Sequence, residues 1–207
     1  MKGRTIIITL GFDPSVVLKI IGEHGLSNSS RVVLITPKTS HPKAKNAIKE
    51  IQNFIEKINN NVKVSVLKIE ENKFEENIIR LKKFLSKFSE TIVDISGGPR
   101  ILALTLYIAS GIAGIPYIYL TLETTGERIK LPTISLPRSS LTERQKEILS
   151  LLPEKPIKIA RKIRLSKSAV SRHLKILVNK GLATKHGDQY YPTITAKTLL
   201  TETNQLS

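Results

Sequence analysis

Residues 91–100 read Thr-Ile-Val-Asp-Ile-Ser-Gly-Gly-Pro-Arg, and they give the clearest indication of the fold class. Its first six residues have the length and the apolar, β-branched character of a short buried strand. Two glycines then form a turn, and Pro99 begins an apolar helix that extends to Gly111. A buried strand that passes through glycines into a helix is typical of one unit of an alternating α/β sheet.

The same alternation recurs along residues 1–130. Apolar or alternating runs predict strands, and amphipathic segments between them predict helices. The fold expected for this region is a mainly parallel sheet with helices on both faces, closed by one antiparallel pair around Thr124–Gly126. Strands are predicted at 5–12, 31–37, 61–69, 91–96, 116–123 and 127–134, and helices at 14–23, 43–59, 74–88 and 99–111.

Two strand ends carry unusual residues. In such a sheet a ligand binds beyond the carboxyl ends of the strands, where the strand order reverses. The first strand ends in Leu-Gly-Phe-Asp and the fourth in Ser-Gly-Gly-Pro-Arg. The glycines allow the backbone to approach a ligand closely, the next helix offers free amides, and Arg100 adds a cationic fork, so a phosphate cradle is predicted. A simple turn before a helix that starts with proline explains the same residues without a ligand.

Several common chemistries lack their signatures. One glycine, Gly11, replaces the G-x-G-x-x-G of nicotinamide dinucleotide sites, and the second strand does not end in an acid. No G-x-x-x-x-G-K-[ST] motif supports nucleoside triphosphate hydrolysis. There is no cysteine, and the four histidines lack metal-ligand spacing. No apolar run approaches the ~18 residues of a membrane span, and the N-terminus enters a strand rather than a signal peptide, so we expect a soluble cytoplasmic protein.

The charge is strongly basic and unevenly distributed. A net charge of +16 over 207 residues makes nucleic acid the first partner to consider. The first 138 residues contain 20 basic and 12 acidic side chains, as a generally lysine-rich surface would, and the last 69 contain 13 and 5. Between Lys155 and Gly187 there are ten lysines or arginines and no acid. Because a solvated helical surface usually mixes both signs, this segment is the predicted nucleic-acid surface.

The C-terminal part has the pattern of a small winged helix-turn-helix domain, expected at 141–207. A segment rich in proline and serine, 131–140, precedes it and reads as a linker. Thr142 and Ser166 are suitable helix caps, Gly181 suits a left-handed helix end, and His186-Gly187-Asp188 forms the turn of a hairpin. Helices are expected at 142–152, 157–163 and 166–181, and hairpin strands at 182–185 and 189–193.

The third of these helices has two faces. One face is apolar and is expected to pack on the first two helices through Val170, Leu174, Leu177 and Val178. The other combines small hydroxyl side chains with arginine and lysine, which suits entry into the major groove of double-stranded DNA. Metal sensing by His173 and His186 is an alternative that no neighbouring cysteine or acid supports. The candidate DNA-binding residues are Lys167, Ser168, Ser171, Arg172, Lys175, Lys185 and His186.

Two pairs of motifs carry resemblances to known families. Leu-Thr-x-x-Gln-x-x-Ile-Leu at 141–149 and Ser-x-Ser-x-Val-Ser-Arg-His-Leu-Lys at 166–175 resemble the winged helix-turn-helix of ArsR and MarR type regulators. Thr-Leu-Gly-Phe-Asp at 9–13 and Ser-Gly-Gly-Pro-Arg at 96–100, in a sheet domain that precedes such a module, resemble the CRISPR-associated Rossmann-fold (CARF) transcription regulators of archaea. The second resemblance covers essentially the full length and implies a Rossmann-like α/β domain followed by the DNA-binding module.

That resemblance implies a ligand and an assembly. In the CARF family, paired sheet domains bind a cyclic oligoadenylate, commonly the four-nucleotide ring, about a two-fold axis. The implied function is that of a homodimeric, ligand-responsive DNA-binding transcription regulator of CRISPR-associated genes. We expect this protein to have no cofactor, no metal and no catalytic residue. The ligand residues implied in each subunit are Leu10, Gly11, Phe12, Asp13, Ser15, Ser96, Gly97, Gly98 and Arg100.

Two other functions stay open. Some CARF proteins cleave the ring that they bind, with the ribose hydroxyl as the internal nucleophile. Here we expect no histidine beside the strand-end motifs to act as a base, since His24 and His41 lie away from them in the sequence, and we therefore expect no enzyme. A sensor of another small ligand, such as a dinucleotide, would share the same architecture.

Overall fold

The computed structural model describes residues 3–39, 41–133 and 141–203 of the chain. The chain divides into two compact units, Met1–Leu136 and Pro137–Ser207. Each unit has its own cluster of buried apolar side chains. The predicted architecture is confirmed, because the first unit alternates strands and helices and the second combines helices with a hairpin.

A six-stranded sheet forms the centre of the first unit. Its spatial order is β3-β2-β1-β4-β5-β6, and every neighbouring pair is parallel except β5 with β6. The strand order reverses between β1 and β4, so the ends of the first and fourth strands lie side by side, as a switch point requires. The strands are β1 (Arg4–Thr9), β2 (Ser29–Pro37), β3 (Lys63–Ile69), β4 (Thr91–Asp94), β5 (Tyr117–Thr121) and β6 (Arg128–Leu131).

The sequence patterns of the strands match their places in the sheet. β1 and β4 are central, and their residues are almost all buried. β3 lies at one edge, which accounts for its alternating polar and apolar residues. Four helices connect the strands, and the buried faces of α1 and α2 complete the main apolar cluster with β1 and β2. The helices are α1 (Pro14–His24), α2 (Pro42–Ile58), α3 (Phe74–Leu85) and α4 (Arg100–Ile112).

The predicted linker at 131–140 begins one residue too early. Leu131 is the last residue of β6 and pairs with Ile118 of β5, so the antiparallel ladder still includes it. The Tyr107 hydroxyl also donates a hydrogen bond to the Pro132 carbonyl, at 2.8 Å. Residues 134–140 of the expected linker lie outside the described residues.

The second unit contains the expected three helices and hairpin, followed by a further helix. Thr142 and Gln145 form a reciprocal capping box at the first helix, and the Ser166 hydroxyl caps the third. Gly181 has a φ of +68°, as a glycine that ends a helix often does. The elements are α5 (Glu143–Ser150), α6 (Pro156–Lys162), α7 (Lys167–Asn179), β7 (Ala183–His186), β8 (Gln189–Pro192) and α8 (Ile194–Thr203).

The packing face of α7 is narrower than predicted. Val170, Leu174 and Leu177 are fully buried against the other helices. Val178 is 36% exposed, because eight residues after Val170 the helix has turned far enough to bring it to the rim of the apolar face. In the described parts of the chain, no helix is long and apolar enough to cross a membrane.

Candidate functional site

A cavity of about 870 Å³ opens where β1 and β4 end. The loops that follow these two strands supply most of the residues predicted from the strand-end motifs. The cavity also takes in the start of α2, together with Glu71 and Glu123. The predicted residues that line it are Gly11, Phe12, Asp13, Ser96, Gly97 and Gly98.

Three predicted ligand residues are not part of the lining. Leu10 is fully buried in the main apolar cluster, so its side chain is a core residue rather than a ligand contact. Ser15 lies in the exposed first turn of α1, where its amide donates to Asp13. Arg100 is exposed at the start of α4, outside the cavity wall, and no ion pair holds it among the described residues.

The two glycines of the second loop make room for the backbone of the first loop. A Cβ atom on Gly97 would lie 2.3 Å from the Thr9 carbonyl oxygen, and one on Gly98 would lie 3.0 Å from the Leu10 carbonyl carbon. Gly98 also has a φ of +78°, which side chains rarely tolerate. The loop after β4 therefore crosses the end of β1 in direct backbone contact, and this contact requires glycine at both positions, while close approach of a ligand there stays a prediction.

Three helix N-termini meet at the cavity. The residues that precede α1, α2 and α4 are Asp13, His41 and Pro99, and all three line it. Asp13 accepts a hydrogen bond from the Ser15 amide at 2.8 Å, and hydrogen bonds from the Ser15 hydroxyl and amide lower the pKa of Asp13. Pro99 has no side-chain acceptor, so the first amides of α4 are uncapped. Of these three helix ends, α1 is capped by a carboxylate and α2 by His41, so the uncapped end of α4 is the one that favours an anion here.

His41 lies in this cavity, contrary to the expectation from the sequence. Its ring centroid is 5.1 Å from that of Phe12, with the ring planes tilted by 54°. The His41 Nδ1 atom accepts a hydrogen bond from the Lys43 amide at 3.2 Å and so caps α2. In the neutral ring the proton is then on Nε2, which makes Nε2 a donor. The sequence signal was a histidine directly before Pro42, at a helix start.

The charged side chains of the lining are mostly acidic. Asp13, Glu71 and Glu123 contribute carboxylates, and within the described ranges no lysine or arginine belongs to the lining. Among the lining residues themselves, attraction for an anion therefore comes from backbone amides and helix ends. Four cationic side chains directly neighbour lining residues in the sequence: Lys38, Lys43, Lys45 and Arg100.

A buried hydrogen-bond network fixes the start of the loop that follows β4. Asp94, at the end of β4, is fully buried, and its Oδ1 atom accepts from the Ser96 amide at 2.9 Å and the Ser96 hydroxyl at 2.5 Å. The Ser96 hydroxyl in turn accepts from the Thr121 amide at 2.7 Å. The pKa of Asp94 is raised above its ordinary value, because the effect of burial exceeds the lowering by these hydrogen bonds and by the nearby Arg128. The predicted ligand residue Ser96 thus uses its hydroxyl within the protein.

Arg128, the first residue of β6, completes this network. Its Nε and Nη2 atoms lie 3.1 and 2.9 Å from Asp94 Oδ2. Its guanidinium also contacts Glu23 at 3.3 Å, donates to the Nε2 atom of His24 and lies over the Tyr119 ring at 4.3 Å. Burial, and then the charge of Arg128, lower the pKa of His24 to about 4. The sequence signal for this missed network was Asp94, a single charge in an apolar strand.

The predicted DNA-binding residues lie on α7 and the hairpin. Lys167, Ser168, Arg172 and Lys175 are exposed and Ser171 is partly exposed. Within the described ranges, Asp188 pairs with Lys155 at 2.8 Å and Glu154 with Lys158 at 3.6 Å. No described acid pairs with the other eight cations of the acid-free segment. At the hairpin, Lys185 and His186 are exposed, and the His186 ring contacts that of Tyr191 at 5.6 Å.

The turn between α6 and α7 holds a further cation in an unusual conformation. Arg164 has a φ of +53°, the only positive value among the described residues other than glycine. A left-handed conformation is costly for a residue with a side chain. Sequence reasoning placed Arg164 in the basic segment but gave no reason to single it out. The Nδ1 atom of His173 is buried without a hydrogen-bond partner in the described chain, and no group of metal-ligating side chains was found there.

The comparison with known families covers both units. Residues 4–132 match the Csa3 CRISPR-associated Rossmann-like domain. The chain belongs to this Csa3 family. Residues 142–185 match the arsR family of bacterial regulatory proteins. A Csa3 Rossmann-like domain followed by an arsR-type helix-turn-helix is the composition of a DNA-binding regulator, as the sequence motifs indicated.

One solved structure similar to this Csa3 chain is that of Can2 from Sulfobacillus thermosulfidooxidans in complex with cyclic tetra-adenylate. The two chains are 13% identical with a TM-score of 0.47, and the match covers 95% of this chain. The chain spans 63% of the length of the Can2 chain. No curated protein matches the chain.

Proposed function

We propose that the protein is a homodimeric transcription regulator of CRISPR-associated genes that binds DNA and responds to cyclic tetra-adenylate. The observation that carries the proposal is the meeting of three helix N-termini at one cavity, at the switch point of a Csa3 sheet domain. The same chain carries an arsR-type helix-turn-helix. Ring binding would shift the equilibrium between arrangements of the dimer that differ in operator affinity.

Phosphate binding in the cavity would use backbone amides. The first turn of α4 has no side-chain cap, so the amides that follow Pro99 are available to a phosphate oxygen. The carboxylates of Asp13, Glu71 and Glu123 repel anions that bind the same cavity non-specifically. A ring whose phosphates reach the amides while its bases cover the remaining wall fits this combination better than a free phosphate ion does.

The outer face of α4 supports the homodimer. From Ile101 to Ile112 this helix has no charged residue, and Leu104 is 53% exposed on it. A second copy would cover this face about a two-fold axis and bring two cavities and two recognition helices into one symmetric assembly. Leu104→Glu is expected to shift the protein from dimer to monomer in analytical ultracentrifugation. A monomeric wild-type protein at micromolar concentration would contradict the dimer.

DNA binding would use the unpaired cations of α7. Arg172→Ala is expected to weaken operator affinity by about 1–3 kcal/mol if the guanidinium contacts a base edge. Lys175→Ala is expected to reduce the slope of log affinity against log salt concentration by about 1, the value for the loss of one phosphate contact. Unchanged affinity and slope for both variants would exclude α7 as the recognition helix.

We propose binding of the ring without cleavage. A cleaving base must accept a proton, whereas the capping bond to Lys43 leaves the neutral His41 ring with a donor at Nε2. Incubation of the protein with cyclic tetra-adenylate, followed by chromatography, is expected to return the intact ring. The appearance of linear di- or tetra-adenylate would identify a ring nuclease instead.

The central experiment tests binding of the ring and binding of DNA together. Calorimetry with cyclic tetra-adenylate, with linear tetra-adenylate and a dinucleotide as comparisons, is expected to show binding of the ring alone. Selection of operator sequences from a random DNA pool is then carried out with and without the ring. A protein that enriches no sequence under either condition is not a specific regulator, and one that enriches a sequence but binds no ring senses another ligand.

A further inference from the structure

We propose that Phe12 and His41 form a stacking platform for one adenine base of each bound half-ring, with the Nε2 atom of His41 donating a hydrogen bond to that nucleotide. This inference rests on the proposed function and names how the same cavity recognises its ligand. The two rings lie 5.1 Å apart, and both residues line the cavity. They come from different elements, the loop after β1 and the start of α2.

The exposure of Phe12 is the first argument. Its side chain is 59% exposed, the largest value among the described large apolar side chains. The residue lies beside the glycine loops, where the apolar surface is available to whatever fills the cavity. A planar base that stacks on this ring would remove the apolar face from water, and a purine offers the largest such plane among the nucleobases.

The second argument is that both residues are already held in place. The His41 ring is fixed through its Nδ1 atom, which accepts from the Lys43 amide at the start of α2. Phe12 lies between Gly11 and the capping residue Asp13, which accepts from the Ser15 amide. The His41 ring, fixed by its capping bond and in contact with Phe12, loses little conformational freedom when a base binds, which favours affinity.

The third argument is the polarity of His41. With Nδ1 engaged as an acceptor, the neutral ring has its proton on Nε2. The atom therefore donates, and adenine ring nitrogens and phosphate oxygens are both acceptors. His41 thus adds a directional bond to the stacking surface, while the rim carboxylates of Glu71 and Glu123 can accept from the amino group that distinguishes adenine from guanine.

The test uses full-length protein and unlabelled cyclic tetra-adenylate for the affinities, and a ring in which one adenine is replaced by the fluorescent analogue 2-aminopurine, which lacks the 6-amino group, for the quenching measurement alone. Phe12→Leu removes the aromatic ring, and His41→Asn removes the imidazole ring with its Nε2 donor while keeping a side-chain oxygen that can cap the helix. Each is expected to weaken ring affinity by about 5- to 150-fold, the range for loss of one stacked base. Phe12→Trp restores the plane and is expected to bind within about threefold of wild type. Fluorescence quenching on binding is expected in wild type and Phe12→Trp and should be smaller in Phe12→Leu.

Tyr117→Leu provides the matched control, because Tyr117 is an exposed aromatic of the same unit that lines a different cavity. It should leave ring affinity and quenching unchanged. If wild type binds the ring but Phe12→Leu and His41→Asn bind it equally well, the platform is wrong and the proposed function stands. If wild type binds no ring, the proposed function fails and the platform with it. Equal weakening by Tyr117→Leu would also overturn the platform, since the effect would then be general.

Discussion

Replacement of Arg128 by glutamine is expected to destabilise the sheet domain strongly. Arg128 is the counter-charge of Asp94, whose side chain is fully buried at the end of β4. The side chain of Arg128 is itself only 12% exposed, so solvent screens the pair weakly. Glutamine removes the charge and leaves the carboxylate of Asp94 buried without a cation.

The size of the effect follows from what remains at Asp94. Removal of one partner from a buried ion pair costs about 3–5 kcal/mol. Two hydrogen bonds from Ser96 to Asp94 survive the substitution, so the lower end, about 3 kcal/mol, is expected. In a domain of this size that is a decrease in Tm of about 10 °C. Since single domains are stable by about 5–15 kcal/mol, the variant should still fold at 25 °C.

Differential scanning calorimetry of the full chain measures this effect. The two units are expected to give separable transitions, and the transition of the helix-turn-helix unit should not move. The control is the double variant Asp94→Asn/Arg128→Gln, in which neither charge remains, and it should recover at least half of the lost stability. A cost below about 1 kcal/mol for Arg128→Gln, or a double variant less stable than the single one, would refute the assignment of a buried ion pair.

Four further predictions concern other residues and conditions. Because the folded pKa of His24 is about 4 against an ordinary 6.5, only the unfolded chain takes up this proton between those values, so stability should fall as pH drops from 6.5 to 4, and His24→Gln should flatten this decline in calorimetry. Arg164→Gly should raise the free energy of unfolding of the DNA-binding unit by up to about 1 kcal/mol, and with it the Tm, while weakening DNA binding; a lower Tm would show that the left-handed conformation is not costly. Gly97→Ala should unfold or displace the loop at the cavity, whereas Gly22→Ala, with open space around its added methyl group, should be neutral or stabilising in the same melts. The affinity for the ring should depend less on salt than the affinity for DNA, as measured by titrations from about 50 to 200 mM salt, and equal slopes would contradict recognition through amides.

The sequence predicts the alternation of strands and helices because the local patterns are strong. Runs such as Ile6-Ile7-Ile8 have no solvent-facing residue, and the helices have one apolar face each. The switch point was also predictable, since strands joined by right-handed crossovers have few arrangements. Thr142 and Ser166 cap their helices as predicted, because capping depends on neighbours in the sequence.

Contacts between distant segments were not predictable in the same way. Asp94 and Arg128 are 34 residues apart, and their contact depends on the register of β5 with β6. His41 reaches Phe12 only because the end of β2 and the end of β1 lie at the same edge of the sheet. A single sequence contains no pattern that fixes either distance. The burial of the Leu10 side chain was unforeseen for a simpler reason, since a strand-end motif does not say which of its side chains turns inward.

The two predicted anion sites of the chain would attract anions in different ways, one through cationic side chains and the other through helix ends. The net charge of +16 therefore has a different meaning in each unit. In the helix-turn-helix unit, the described acids pair with two of the ten cations in the acid-free segment and leave α7 and the hairpin unpaired. Such a surface attracts any polyanion at long range and releases counterions when it binds. The cavity has carboxylates in its wall and relies on helix ends, which act only within the first turn. We therefore expect long double-stranded DNA to bind the helix-turn-helix unit, and a small ligand that reaches the amides to bind the cavity.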